Sequence, residues 1–123
     1  MNWKNSIIAA ALCAAAALIP VPALAHAHLD RAMPAPNSVQ ATAPKDVTIW
    51  FTEALEAKFS SIVVQDAKGL AVHAGPAALV SGNTAQLRVQ LKAMPPGTYK
   101  VIWKVLSVDT HRSNGEFSFK VGP

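Results

Sequence analysis

Asp109 and His111 set a carboxylate and an imidazole two residues apart at the end of a long strand-like run. In an extended chain, residues i and i+2 project to the same side, so the two are expected to stand as neighbouring ligand arms. A third group can join them from the other end of the sequence. His26 follows Pro22-Ala23-Leu24-Ala25, which has the small-residue pattern of a signal-peptidase site. Cleavage after Ala25 makes His26 the first residue of the mature chain, with an α-amine as well as an imidazole. One amine, two imidazoles and one carboxylate form a nitrogen-rich donor set, and such N,O sets in tetragonal geometry suit Cu(II). An α-amine titrates ordinarily at about 7.7–8.0 and a histidine at about 6.5, so both release protons readily on metal binding near neutrality. Affinity for the ion is expected to fall steeply as pH drops through the histidine range.

Each of these residues has an ordinary alternative. A lone histidine is more often a surface or hydrogen-bonded residue than a ligand, and turn aspartates commonly accept backbone N–H bonds. The set carries the reading, because Asp109, His111 and a histidine at the cleavage site occur together. His28 adds a competing arrangement. At a free N-terminus, His26-Ala27-His28 can wrap Cu(II) in a square plane through the amine, two deprotonated amides and the third-residue imidazole. The folded set of His26, Asp109 and His111 is preferred, because a sheet presents Asp109 and His111 already in position. His28 then serves as a nearby alternative donor or a surface residue. Cleavage before His28 is a second possible processing point, since Ala25 and Ala27 are both small.

The leader comprises residues 1–25. Lys4 supplies its positive charge, and Ile7 to Ile19 is an unbroken apolar run. Pro20 and Pro22 cut short what would be a marginal membrane anchor. The expected destination is the periplasm. Cys13 is the single cysteine, and the bulky Leu12 before it argues against lipid attachment. It leaves with the leader, so the mature fold must hold without disulfides and offers no thiolate to a metal.

Residues 26–123 form one small domain. The full chain carries a net charge of +4, which loss of Lys4 reduces to +3. The charges are scattered singly, with no basic run or aromatic-interleaved stripe to suggest nucleic-acid binding. The pattern is all-β. Strand-like runs lie at Val47–Thr52, Ser61–Gln65, Leu70–His73, Ala85–Leu91 and Glu116–Val121. In a further long run Tyr99, Val101, Trp103 and Val105 share one face, with Lys100 and Lys104 on the other. Turn signals separate them at Asp66–Gly69, Ser81–Asn83, Pro95–Gly97 and Ser113–Gly115. This spacing predicts a small Greek-key β-sandwich of immunoglobulin-like outline. Glu53–Lys58 is weakly helical, and residues 34–46 read as an extended crossover after a short first strand. Trp50, Phe59, Tyr99, Trp103, Phe117 and Phe119 are assigned to the core.

The sequence resembles the periplasmic copper-resistance proteins of the CopC family over nearly the whole mature chain. The resemblance rests on His26-Ala27-His28-Leu29, Pro34 with Ser38, Trp50-Phe51-Thr52-Glu53-Ala54-Leu55, Pro96-Gly97-Thr98-Tyr99-Lys100-Val101-Ile102-Trp103, and Ser107-Val108-Asp109-Thr110-His111 with Gly115 and Phe117. It implies a CopC-like cupredoxin/Ig-type barrel. It also implies one Cu(II) per chain, held by His26 as an amine–imidazole brace together with Asp109 and His111. Glu53 matches an acidic position near the metal end of the family fold, where it would support the ligands or bind weakly along the axis. The sequence departs from the family in two places. Some relatives carry a methionine-rich loop whose soft thioethers bind Cu(I), but Val63 to Ser81 contains no methionine. The chain therefore looks like the Cu(II)-only variety, with His73 as a strand residue. Arg112 stands where close relatives often have proline.

The resemblance implies a monomeric copper carrier or buffer in copper resistance and homeostasis, possible partner of an inner-membrane CopD-type transporter, and not an enzyme. Two other classes stand beside it. Copper monooxygenases also use an N-terminal histidine brace, but here Asp109 would fill a position that oxygen needs, and the likeness is one of fold and site only. A structural sandwich domain with an incidental metal site is the third. A serine hydrolase is disfavoured, because Ser107, Asp109 and His111 share one strand-like stretch and no G-x-S-x-G elbow is present.

Overall fold

The computed structural model describes residues 27–123, and these form two facing four-stranded sheets. The strands are β1 (Leu29–Met33), β2 (Val39–Gln40), β3 (Asp46–Phe51), β4 (Ser61–Gln65), β5 (His73–Val80), β6 (Asn83–Leu91), β7 (Gly97–Leu106) and β8 (Arg112–Val121). One sheet runs β1-β3-β6-β5 and the other β2-β8-β7-β4. All neighbours are antiparallel except β2, which lies parallel to β8. The expected all-β sandwich is therefore present.

Period-two alternation is what closes it. On β7, Tyr99, Val101, Trp103 and Val105 are buried while Lys100 and Lys104 face solvent. Leu87 and Val89 of β6 and Val47, Ile49 and Phe51 of β3 face them from the other sheet. Phe119 is buried and stacks on Tyr99 with ring centroids 5.8 Å apart, and Phe51 meets the edge of Trp103 at 5.2 Å. Tyr99 donates its hydroxyl to the carbonyl of Pro95. Burial, helped by the carboxylate of Asp66, raises the Tyr99 phenol above its ordinary range.

Five sequence expectations are corrected. The fifth strand begins at His73 rather than Leu70, because the small residues of Ala74-Gly75-Pro76-Ala77-Ala78 give most of this edge strand no alternation of large apolar and polar groups. The helical turn is a single 3-10 turn at Ala57–Phe59, not Glu53–Lys58. The crossover at residues 34–46 contains the short strand β2. Phe59 is 57% exposed and outside the core, since it lies on that turn rather than on a sheet face. Trp50 also points outward from β3, where the guanidinium of Arg31 stacks 3.9 Å from the ring centroid.

Candidate metal centre

β7 and β8 form a long hairpin whose last rung pairs Leu106 with Arg112. The five residues between them, Ser107 to His111, are the connection. Asp109 and His111 thus lie on a turn rather than in an extended strand, and the reason they share a side differs from the i, i+2 rule. The N–H of Thr110 donates to the Ser107 carbonyl at 2.9 Å, and the N–H of Ser107 donates to the His111 carbonyl at 2.9 Å. Thr110 adopts φ 73, a left-handed conformation that a β-branched residue rarely takes. That reversal folds the loop back on itself and brings His111 Nδ1 to 3.3 Å from Asp109 Oδ1.

Ser107 organises the pair from beneath. It is completely buried. Its hydroxyl donates to Asp109 Oδ1, and its oxygen lies 3.3 Å from the N–H of His111, within reach to accept it. The Ser107 hydrogen bond is the main reason the Asp109 carboxyl is held below the usual carboxylate range; contacts with His111 add to it, against a smaller opposing effect of desolvation. Asp109 is therefore an anion throughout the range in which histidines titrate.

A strap clamps the loop from the side. The N–H of Val108 donates to the Ala54 carbonyl at 3.0 Å, and Leu55 forms an isolated bridge with Ser107. The N–H of Glu56 donates to the Leu106 carbonyl at 2.8 Å, while the N–H of Leu106 donates to Ser60 Oγ at 3.1 Å. Glu53 is half-buried at the start of this strap.

The N-terminal segment arrives on the same end. The Ser113 hydroxyl, two residues beyond His111, donates to the carbonyl of Ala27, which is completely buried. His28 is exposed, and its backbone exchanges two hydrogen bonds with Thr52: its N–H donates to Oγ1 at 2.9 Å, and its carbonyl accepts the Thr52 N–H at 2.9 Å. His26 lies outside the described residues.

Among the described residues, no three His, Cys, Asp or Glu side chains gather where they could hold a metal ion. Neither Glu53 nor His28 completes the Asp109–His111 pair. His73 is remote from it in the fold, on β5, where its Nδ1 accepts the Val64 N–H at 3.2 Å. The pair itself fits a first-row cation. Two donors on adjacent corners about 2.1 Å from one ion lie about 3 Å apart, close to the observed separation. A third and fourth donor must come from elsewhere. The sequence reading put Ser113 in a turn at Ser113–Gly115, whereas these residues lie within β8, and it quoted Thr52 and Ser107 without a supporting role. A serine hydroxyl carries no periodic or compositional signal that marks it as the support of a ligand.

The CopC domain profile matches residues 29–122. The chain is 38% identical over 98 residues to protein YobA of Escherichia coli K12, covering 79% of each. It is 35% identical over 116 residues to copper resistance protein C of Pseudomonas syringae pv. tomato, covering 89% of this chain and 91% of that one. The crystal structure of CopC from Methylosinus trichosporium OB3b superposes with a TM-score of 0.75 at 31% identity, covering 80% of this chain and 95% of its own.

Proposed function

This chain belongs to the CopC family, and from that premise we propose that it binds one Cu(II) in the periplasm and carries or buffers it in copper resistance. The ligands are His26, through amine and imidazole, with Asp109 and His111. Relatives bearing the name copper resistance protein C support the copper assignment.

The observation that carries the site is the Ser113–Ala27 hydrogen bond. It ties Ala27, the residue after His26 in sequence, to the strand that leaves His111, which supports a site shared by the processed N-terminus and the Asp109–His111 pair. The engagement of the His28 amide favours this set over wrapping by His26-Ala27-His28. Wrapping must deprotonate that amide, which in the fold donates to Thr52 Oγ1. Asp109 contributes an anion that offsets part of the Cu(II) charge and favours it over Cu(I). The absence of methionine from Val63 to Ser81 fits a Cu(II)-only protein. Such a carrier acts as a monomer and passes its copper to an inner-membrane transporter of the CopD type.

The test is a Cu(II) titration of secreted, processed protein, with its first residue read by intact mass and its copper signal by electron paramagnetic resonance. One tight equivalent that is weakened and spectrally altered in His111→Ala is the expected result. An unchanged affinity and spectrum in that variant would assign the copper to the N-terminal tripeptide alone and remove Asp109 and His111 from the site.

A further inference from the structure

The outer face of the β2-β8-β7-β4 sheet gathers the positive charge of the described chain. Residues that alternate away from the core on β7 and β8 include Lys100, Lys104, Arg112 and Lys120, all exposed. Across the rungs they sit beside neutral partners: Lys104 with Asn114, Lys100 with Ser118, Lys120 with Thr98 and Arg112 with Leu106. Glu116 is the single acid on this face, 3.8 Å from Lys100. The face thus carries +3. The other six cations and six acids of residues 27–123 cancel, so the whole excess charge of the described chain lies on one side. The sequence shows these charges as scattered singly, because strand alternation and antiparallel pairing assemble them only in the folded sheet.

We propose that this face docks on a phospholipid bilayer bearing anionic headgroups. The sheet spreads its cations along two long strands rather than converging them on a point, which suits a plane of headgroups better than one bound acid. Half-buried Ile102 and Val63 lie between the lysines, and no aromatic side chain projects from β7 or β8 on this side to anchor a protein partner. Docked this way, the β7–β8 hairpin lies along the bilayer, and its Ser107–His111 loop sits at the margin of the contact, beside the membrane and uncovered. The attraction is electrostatic and acts within a Debye length, about 10 Å at 0.1 M salt.

The experiment is co-sedimentation of the processed chain with phosphatidylcholine vesicles, with and without phosphatidylglycerol, at low and high salt. Each cation near an anionic surface contributes roughly fivefold to partitioning. Replacing two, in Lys104→Gln with Lys120→Gln, should weaken binding to the anionic vesicles about 25-fold. Lys45→Gln with Lys92→Gln removes the same charge from the end of the other sheet and should cost less than about threefold. Circular dichroism confirms that both variants fold. Equal losses in the two variants would mean that only net charge matters and would overturn the proposal. So would equal binding to neutral vesicles, or no vesicle binding at all, which would leave the face to an acidic protein.

Discussion

Gly115→Ala isolates one contact on which the hairpin carrying Asp109 and His111 depends. Gly115 of β8 pairs with Trp103 of β7, and the indole lies flat against the glycine backbone. A Cβ at this position would meet Trp103 Cζ2 at 2.6 Å, Cε2 at 2.9 Å and Nε1 at 3.2 Å. The first two distances are shorter than carbon–carbon contact allows. Trp103 cannot swing clear, because it is 7% exposed and its ring is held edge-on by Phe51. Either the indole shifts into Phe51 or β8 bends away from β7. Overpacking of this kind costs about 1–3 kcal/mol, and two sub-contact distances to a rigid ring place Gly115→Ala toward the upper end, about 2–3 kcal/mol. In a domain of this size each kcal/mol moves Tm by about 4–8 °C, so a fall of about 10–20 °C is expected in thermal unfolding, with a lower midpoint in urea. Trp103→Phe shortens the ring and should relieve the clash. Added to Gly115→Ala, it should show a coupling of about 1 kcal/mol or more in a double-mutant cycle. A Gly115→Ala protein within about 0.5 kcal/mol of the parent, or strictly additive substitutions, would refute the reasoning.

Three further outcomes are expected. Ser107→Ala removes the hydroxyl that holds both the carboxylate and the His111 N–H, and should weaken Cu(II) binding about 10- to 100-fold in competition titrations while far-UV circular dichroism stays unchanged. Acidification should weaken copper binding as protons compete for the donor nitrogens, with Asp109 still ionised. Because the folded Asp109 carboxyl lies below its ordinary value near 3.8, its contribution to stability is present above that pH and is lost as pH falls through the lowered value. Asp109→Asn should therefore lower the neutral plateau of a urea-stability profile and flatten its acid limb, the two proteins converging at low pH. Tyr99→Phe leaves the Pro95 carbonyl without its buried donor and should lower stability by about 1 kcal/mol; in the parent, a spectrophotometric titration should show the phenol resisting ionisation beyond its ordinary range.

Much of the fold was legible in the residues. The alternation of Tyr99, Val101, Trp103 and Val105 against Lys100 and Lys104 specifies a strand, its buried face and its wet face, because side chains on a strand repeat every two residues whatever lies opposite. Ala74 to Ala78 offered no such contrast. Small side chains tolerate either face, so only pairing with β6 reveals that edge strand. Phe59 was misread for a related reason: apolarity states what a side chain prefers, and its place on a 3-10 turn denies it a partner.

The identities of the candidate donors, His26, Asp109 and His111, were readable from residue type, from their spacing and from the cleavage pattern before His26. The basis of the Asp109–His111 pairing was not. They meet through the left-handed Thr110 and the buried Ser107 hydroxyl, not through strand periodicity. Nor could the sequence say that Ala27 lies against Ser113, 86 residues away, or that Lys100, Lys104, Arg112 and Lys120 share one face. Local chemistry and periodicity act over a few bonds and are written in the order of residues. Contacts between distant segments exist only once two sheets have paired and closed over a core, and here those contacts set Ala27 against Ser113 and gather the excess charge on one face.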